Sequence, residues 1–281
     1  MTVLVTGAAG SIGSELCRQL LLIGIKKLIA LDNRESALHE LNLVLSEKYG
    51  EKIIPVIADI KEKEKIRKIF KKYTPSIIFH AAAYKHVPMM ELHPDEAIKT
   101  NIFGTKNIID LVDELKIKNF VLVSTDKAVN PKSIMGATKY VAEKIMQTSQ
   151  LNNESRFLAV RFGNVINSDG SVVPLFEKQI EKGGPVTVTH PEMKRFFMTI
   201  PEAAQLVIQS VLIGKNKELF VLDMGEQYSV LELAEDMIKL RGFEPYKDID
   251  IKITDLRKGE KLHEELTRKN EIKESTENKR I

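Results

Sequence analysis

Two short stretches carry residue types and spacings that could do chemistry together. In the first, Thr6-Gly7-Ala8-Ala9-Gly10-Ser11-Ile12-Gly13 separates glycines by three residues, between a strand-like run and a helix-like one. Gly7 permits a tight turn. Gly10 clears a side chain from where a pyrophosphate must approach, and Gly13 lets a helix close on a strand. The main-chain N–H groups of Ser11, Ile12 and Gly13 would face the phosphates from the helix start. A tight turn alone also explains such a pattern, but its place between strand and helix points to dinucleotide binding. Asp32 ends the next strand, where a carboxylate accepts adenosine ribose hydroxyls and favours NAD over NADP. Arg34 keeps NADP open; its other reading is a solvated residue at a helix start. Asp59-Ile60 ends the third strand, and reads either as a contact to adenine or as a helix cap.

The second stretch is Ser124-Thr125-Asp126-Lys127, which follows a fifth strand-like run. It falls on the rim where doubly wound sheets bind ligands. In a turn, a neighbouring acid and amine can both face one ligand and move protons on it. The alternative is a surface turn holding an ion pair. His80 and His86 show no metal-ligand spacing with Cys, Asp or Glu, and no metal is expected. His80 reads as a core or strand-end residue.

The elements that must position these residues alternate. Continuous apolar runs over 2–6, 28–32, 53–58, 77–80, 120–124 and 157–162 read as strands covered on both faces. Amphipathic stretches over 11–23, 35–49, 61–73, 94–115 and 134–151 read as the helices between them. Such alternation predicts βαβ units and an α/β, Rossmann-like, doubly wound parallel sheet. Beyond Phe162 the pattern changes to helices near 171–182, 201–213 and 230–241 with short strands near 186–189, 220–223 and 249–253. This predicts a smaller C-terminal α/β lobe for substrate. The expected division is 1–165 for the cofactor domain and 166–268 for the lobe, with a soft boundary because 206–213 and 219–222 can serve the main core. The polar residues 269–281 are expected to fray.

Composition sets the outer bounds. Hydrophobic residues make up 43% of the 281, too many for a disordered chain. The formal net charge is +3 with Lys and Glu interleaved, so nothing marks a nucleic-acid groove. A single cysteine, Cys17, excludes an internal disulfide and a cysteine zinc cluster. No apolar run approaches a bilayer span, and the chain opens into a strand rather than a signal peptide, so a cytoplasmic, soluble protein without membrane insertion is expected.

Several segments together resemble one family. They are His80-Ala81-Ala82-Ala83-Tyr84-Lys85-His86-Val87-Pro88, Ser124 through Pro131, Met135-Gly136-Ala137-Thr138-Lys139, Arg161-Phe162-Gly163-Asn164-Val165 and Arg195 through Ile200. With the glycine turn, they resemble the extended short-chain dehydrogenase/reductases. Within that superfamily the chain is similar to the CapD-like polysaccharide-biosynthesis branch, typified by UDP-N-acetylglucosamine 4,6-dehydratase. The resemblance runs from Val3 to about Leu266.

It implies that NAD(P)+ oxidises carbon 4 of a UDP-hexose, that water is eliminated across carbons 5 and 6, and that hydride returns to carbon 6. It implies Lys127 as base, Asp126 as acid and Thr125 as a hydrogen-bond partner of the reacting oxygen. Lys127 must then be partly neutral, and burial beside a positive nicotinamide would push it that way. Lys139 would hold the nicotinamide ribose, and Asn101 would match the superfamily's active-site asparagine. Ala81, Ala82 and Lys85 would lie along the cofactor, with Lys85 also reaching the substrate. One residue departs from the superfamily pattern: Met135 stands where a catalytic tyrosine is usual. Tyr140 is rotated about 100° from Lys139 on the helix and cannot replace it readily. The carbon-4 hydroxyl proton would then fall to Lys127.

The diphosphate needs cations or N–H groups, for which Arg195 and Arg257 are candidates. Arg257-Lys258-Gly259-Glu260 resembles the extended branch's Arg-Pro-Gly-Asp/Glu segment, with Glu260 toward the uridine ribose. Asn164 would contact the sugar or phosphates, and the helix start around Val173 the uracil or a phosphate. Arg195 as an anchor for Phe196-Phe197 and Arg257 as a solvated residue are the plainer readings. A homo-oligomer built through the helices over 94–115 and 134–151 is expected. A UDP-hexose 4-epimerase is the alternative activity, and a non-catalytic nucleotide-binding scaffold the alternative of another class.

Overall fold

The computed structural model describes residues 1–148 and 154–281. Its first half alternates as the apolar runs dictate: β1 Thr2–Thr6, α1 Ser11–Leu22, β2 Lys27–Asp32, α2 Glu35–Tyr49, β3 Ile53–Ile57, α3 Lys63–Tyr73 and β4 Ile77–His80. Then come α4 Val87–Leu92, α5 Pro94–Ala97, α6 Thr105–Glu114, β5 Asn119–Val123, α7 Ile134–Thr148 and β6 Arg156–Arg161. The expected last turn of α7, to Leu151, lies outside the described residues.

Beyond β6 the elements shorten to β7 Asn164–Val165, α8 Val172–Glu181, β8 Val186–Val188, β9 Lys194–Arg195 and β10 Phe197–Met198. They continue through α9 Ile200–Ile213, β11 Leu219–Val221, β12 Tyr228–Ser229, α10 Val230–Leu240 and β13 Ile251–Ile253.

Seven strands form one sheet in the order β11-β6-β5-β4-β1-β2-β3, with every pairing parallel. The chain reverses direction of travel between β1 and β4, which opens a crevice at their carboxyl ends. Side chains alternate across the sheet. Val3 and Val5 pack with α1 and α9 on one face, and Leu4 packs with Ile66, Ile108 and Met146 on the other.

The helix expected over 94–115 is interrupted by a π-helical turn, Ile98–Gly104. Gly104 lies so close to Ile60 that an added β-carbon would sit 2.6 Å from its Cδ1. The helix α4 was not signalled by its sequence, whose proline sits in its first turn.

A second, smaller core joins Phe176, Val186, Val188, Val230, Ile238 and Ile251 from α8, β8, α10 and β13. It falls within the stretch 166–268 over which a lobe is expected. Two stretches from beyond residue 166 return to the main body: β11 extends the large sheet, and α9 packs on α1.

The segment 269–281 departs from the expectation of a fraying end. The Arg280 carbonyl accepts the Asp223 N–H at 2.8 Å, Asn278 Nδ2 donates to Gln209 at 2.6 Å, and Ile281 packs on the main core. Specific polar pairings hold it, and these leave no mark in an apolar pattern.

A buried histidine gives the fold a pH signature. His80, at the end of β4, bridges the hydroxyls of Thr6 at 2.7 Å and Thr105 at 2.9 Å. Burial, reinforced by the nearby charge of Lys139, pulls its pKa down to about 3. The folded protein therefore keeps His80 neutral where the unfolded chain, with an ordinary value near 6.5, takes up a proton. The stability contributed is present above pH 6.5 and is lost as pH falls toward 3. His80→Asn, which cannot gain that proton, should flatten the loss of stability over this range in chemical denaturation. An unchanged slope would contradict the assignment.

Candidate active site

The carboxyl ends of β1, β2, β4 and β5 open onto a cleft of about 510 Å³. Every residue expected along a cofactor lines it: Gly7, Gly10, Ser11, Ile12, Gly13, Asp32, Arg34, Asp59, Ile60, Ala81, Ala82, Lys85 and Lys139. The glycine turn is built as its spacing requires. Gly7 has φ +66°, and a β-carbon there would lie 2.6 Å from the Ala82 nitrogen. A β-carbon on Gly13 would lie 1.9 Å from the Gly7 carbonyl oxygen. No side chain caps the start of α1, which leaves its first N–H groups for a ligand.

Asp32 does more than end a strand. It accepts the Ala9 N–H and the Arg34 N–H, each at 2.9 Å, and so fixes the turn. Each carboxylate oxygen retains a lone pair for a hydroxyl. The Arg34 guanidinium donates to the Ala9 carbonyl and lies 3.8 Å from Asp32. Asp59 accepts the Lys61 N–H at 2.8 Å in a turn ahead of α3, whose cap is Glu62, so the helix-cap reading of Asp59 does not hold. The residues fit a dinucleotide: a glycine-cleared turn, an uncapped helix start and a ribose-side carboxylate stand in sequence along one wall. Thr100 adds a buried hydroxyl without a partner to that wall.

A second cavity, of about 260 Å³, adjoins the first. Lys85, Lys127 and Asn164 line both. Arg195, Arg257 and Glu260 line the smaller one, and Val173, at the start of α8, lines the cleft. Arg195 is buried and gives its guanidinium to the carbonyls of Lys194 at 2.7 Å, Leu262 at 3.0 Å and Lys261 at 2.8 Å. It thereby pins the 261–262 segment to the lobe and is not reserved for an anion. Arg257 is exposed, with its N–H on the Glu260 carboxylate at 3.2 Å.

Lys127 stands where the two cavities meet. Its side chain is 23% exposed, and Nζ donates to Asp126 Oδ1 at 3.0 Å and Asn164 Oδ1 at 2.9 Å. Burial pushes its pKa down, but the carboxylates of Asp126 and Glu264 outweigh that, and the group ends above the ordinary lysine range. The partial neutrality anticipated for Lys127 is thus absent without a ligand, because carboxylates surround the amine. Lys85 and Lys139 are the depressed lysines, Lys85 through burial. Burial lowers Lys139 to about 8 against the opposing charge of Glu143, while its Nζ donates to the Val123 carbonyl at 2.7 Å.

Two of the expected catalytic residues do not reach a cavity wall. Asp126 is fully buried; Oδ1 takes the Thr125 hydroxyl at 2.8 Å, and Oδ2 faces Gly163 without a hydrogen bond. The 3₁₀ turn Asp126–Ala128, capped by Thr125, folds that carboxylate beneath Lys127. Asn101, inside the π-turn, spends its amide on Tyr84, accepting its N–H at 2.8 Å and donating to its carbonyl at 3.0 Å, and on the Thr138 hydroxyl at 3.0 Å. It shapes the loop that carries Ala83–Lys85. Met135 lines the cleft and packs on Met90 and Ala97. Tyr140 sits under the Arg268 guanidinium, 4.3 Å from its ring centre, and lines neither cavity.

Sequence reading missed Glu264 and the cluster behind Lys139. Glu264 lines the smaller cavity with Oε1 3.7 Å from Lys127 Nζ. It lies in a charged stretch, 257–265, that reads as solvated surface. Glu143 follows Lys139 by one helical turn, a spacing that does place both on one face.

A family model described as "Polysaccharide biosynthesis protein" matches residues 3–281. The capsular polysaccharide biosynthesis protein CapD of Staphylococcus aureus is 51% identical over 274 residues, covering 96% of this chain and 46% of that protein. The chain thus spans about half the length of that relative. A UDP-N-acetylglucosamine 4,6-dehydratase (inverting) of Campylobacter jejuni is 32% identical over 268 residues, covering 93% of this chain and 76% of the relative. A UDP-glucose 4-epimerase of Rickettsia canadensis is 32% identical over 227 residues, with coverage of 78% and 65%. Among solved structures, Pen from Bacillus thuringiensis superposes with TM-score 0.87 at 36% identity, covering 95% of this chain and 81% of that one. The dTDP-glucose 4,6-dehydratase DesIV from Streptomyces venezuelae, with NAD and TYD bound, superposes with TM-score 0.84 at 20% identity and coverage of 95% and 88%, a likeness of fold.

Proposed function

Since the chain belongs to the polysaccharide biosynthesis protein family, in the extended branch of the short-chain dehydrogenase/reductases, we propose that it is a nucleotide-sugar 4,6-dehydratase acting on UDP-N-acetylglucosamine or a close UDP-hexose. The observation that carries this reading is the position of Lys127, an amine at the junction of a dinucleotide-shaped cleft and a second cavity with cationic residues. A base placed there serves a carbon next to a ketone that forms at the cleft.

A nicotinamide cofactor, when bound, supplies the oxidation of carbon 4 and the later reduction at carbon 6. The glycine turn and the start of α1 hold its diphosphate, Asp32 its adenosine ribose, and Lys139 its nicotinamide ribose. With Met135 in place of a phenol, Lys127 is the group that takes the carbon-4 hydroxyl proton, directly or through water, and Lys139 disfavours a second positive charge beside it. The ketone then acidifies carbon 5, and Lys127, once the first proton has passed to solvent, removes that one. Arg257 and the N–H groups at the start of α8, around Val173, serve the diphosphate and uracil, with Glu260 toward the uridine ribose. Asn164 holds the Lys127 ammonium in place.

Ile98 and Phe103 are exposed along the stretch 94–115 expected to associate, which supports a homo-oligomer. No helix among the described residues is long and apolar enough to cross a membrane.

The epimerase relatives favour a second reading, in which carbon 4 is reduced again and nothing is lost. Incubation with a small panel of UDP-hexoses, read by mass spectrometry, separates the two. The dehydratase reading predicts a product one water lighter, with UDP-N-acetylglucosamine converted best. A product of unchanged mass from every sugar overturns it.

A further inference from the structure

A lysine carries its charge on a flexible four-carbon stem, and a nearby carboxylate readily captures it. A base at the cavity junction therefore needs more than the right place in the chain. Its turn must be held still, and its amine must be left free. The turn that carries Lys127 is braced from one short segment. Arg268 donates to the Ala128 carbonyl at 2.6 Å, Lys261 Nζ donates to the Val129 carbonyl at 2.6 Å, and Glu265 accepts the Asn130 amide at 2.9 Å. That segment is itself fixed to the lobe. Arg195 holds the carbonyls of Lys261 and Leu262, the Lys194 N–H donates to the Leu262 carbonyl at 3.1 Å, and Gln227 donates to the Glu264 carbonyl at 2.6 Å.

Lys261 has a second contact that bears on the base. Its side chain is 8% exposed, and Nζ lies 3.5 Å from Glu264 Oε2, which accepts no hydrogen bond. Glu264 Oε1 lies 3.7 Å from Lys127 Nζ, beyond hydrogen-bond reach. The buried carboxylate is thus shared between two ammonium groups and closes fully on neither. Lys261 is anchored to the Val129 carbonyl and cannot follow it. Without the Lys261 charge, Lys127 would be the one ammonium left beside Glu264 among the described residues, and a movement of about 1 Å would join them in a hydrogen bond. Other charges face Lys127 as well. Burial lowers its proton affinity, Asp126 in its own turn and then Glu264 raise it, and Arg195 on β9 opposes them. Lys85 and His86 after β4, Lys132 ahead of α7, and Arg257 and Glu260 also line the smaller cavity.

Resting on the dehydratase reading, we propose that Lys261 is a positioning residue for Lys127: by holding the Val129 carbonyl and drawing one oxygen of Glu264 toward itself, it stops that carboxylate from closing on the base. Lys261 touches no reacting atom in this role. It leaves the Lys127 amine able to give up and regain a proton in each cycle. Loss of its charge leaves two carboxylates on Lys127, one of them closer than before, and the base then holds its proton to higher pH.

The test follows the pH dependence of kcat for water loss from saturating UDP-N-acetylglucosamine. It compares wild type, Lys261→Met, Lys261→Gln, Glu264→Gln and the double variant Lys261→Met with Glu264→Gln, with thermal melting as the control for folding. The rate should rise with pH until Lys127 is neutral. Lys261→Met should move that limb up by roughly one pH unit and lower kcat below it about tenfold, with KM within about threefold of wild type. Lys261→Gln keeps a donor for the Val129 carbonyl but no charge. It should show the same shift, and it serves if the methionine variant does not fold. Glu264→Gln should move the limb down. Adding Lys261→Met to it should give less than about half the shift seen alone, since no carboxylate remains to close on Lys127. A limb unmoved in the Lys261 variants or in Glu264→Gln, or an equal shift with and without Glu264, overturns the proposal. So does a KM raised about tenfold with the limb in place, which a phosphate contact would give. A wild type that releases no water overturns the dehydratase reading and this proposal with it. A wild type that releases water while the limb stays unmoved in the variants leaves that reading standing and overturns the proposal alone.

Discussion

Lys127→Ala should lower the rate of water loss from UDP-N-acetylglucosamine by about a thousandfold or more, the range general-base removal spans, while UDP affinity changes little. The size of the effect follows from how Lys127 is held. Among the described residues at the meeting of the two cavities, Lys127 is the amine held toward both by hydrogen bonds, to Asp126 at 3.0 Å and Asn164 at 2.9 Å. Met135 offers no proton chemistry, and Tyr140 is committed to Arg268 on the far side of α7. Lys139 is pulled down to about 8, but its Nζ is tied to the Val123 carbonyl and cannot stand in. Lys127→Arg should fare no better, because an arginine stays protonated at any working pH. The measurement is initial rate by mass-resolved product, with UDP titration calorimetry alongside. Turnover within a few-fold of wild type would contradict the role given to Lys127.

Glu143→Ala should destabilise the protein by about 3–5 kcal/mol, the cost typical of breaking a buried ion pair by removing one partner. Glu143 is fully buried on α7 and accepts four hydrogen bonds. They come from Ser124 Oγ at 2.6 Å, Arg161 at 3.1 and 2.8 Å, and Arg268 at 3.3 Å. Arg161, fully buried on β6, also donates to the Leu266 carbonyl at 2.8 Å and to Glu271 at 2.9 and 3.1 Å. Arg268 donates to the Ala128 carbonyl at 2.6 Å, directly beyond Lys127. The cluster therefore ties β5, β6 and α7 to the chain that follows Glu264. Losing Glu143 leaves a buried guanidinium short of its counter-charge and loosens the stretch that carries Glu264. Urea denaturation should give the stability change, and the residual folded enzyme should show weakened turnover. A loss under about 1 kcal/mol would mean that the cluster relaxes or hydrates, against this account.

The parts of this molecule that its sequence announces are those made by continuous apolar runs or by glycine. Val3–Val5, Leu28–Leu31 and Phe120–Leu122 had to be strands buried on both faces, and the order of elements then fixed the sheet and its crevice. Gly7 and Gly13 stood out because no other residue fits at those positions. The residues read for a cofactor all line the cleft, Asp32 from its place at a strand end and Lys139 from the family resemblance. The chemistry at the second cavity was only half legible. Lys127 was evident from its motif, but the burial of its neighbour Asp126 was not, because a 3₁₀ turn points neighbouring side chains in different directions. Glu264 and the Arg161–Glu143–Arg268–Glu271 cluster were hidden for a shared reason. Their partners lie over a hundred residues away in the chain for Arg161 with Glu271, and polar pairing across such a distance leaves no periodic mark. Residues 269–281 were misread as free for the same cause. The π-turn at Ile98–Gly104 is likewise silent in composition, since it depends on how Asn101 is used by Tyr84.

The account stands on a base at the cavity junction removing the hydrogen beside a transient ketone. The most direct test is wild-type enzyme with UDP-N-acetylglucosamine in heavy water, the product examined by mass and by NMR. The expected product has lost one water and carries one solvent deuterium at carbon 5. A product of unchanged mass, or one water lighter with protium retained at carbon 5, would contradict it.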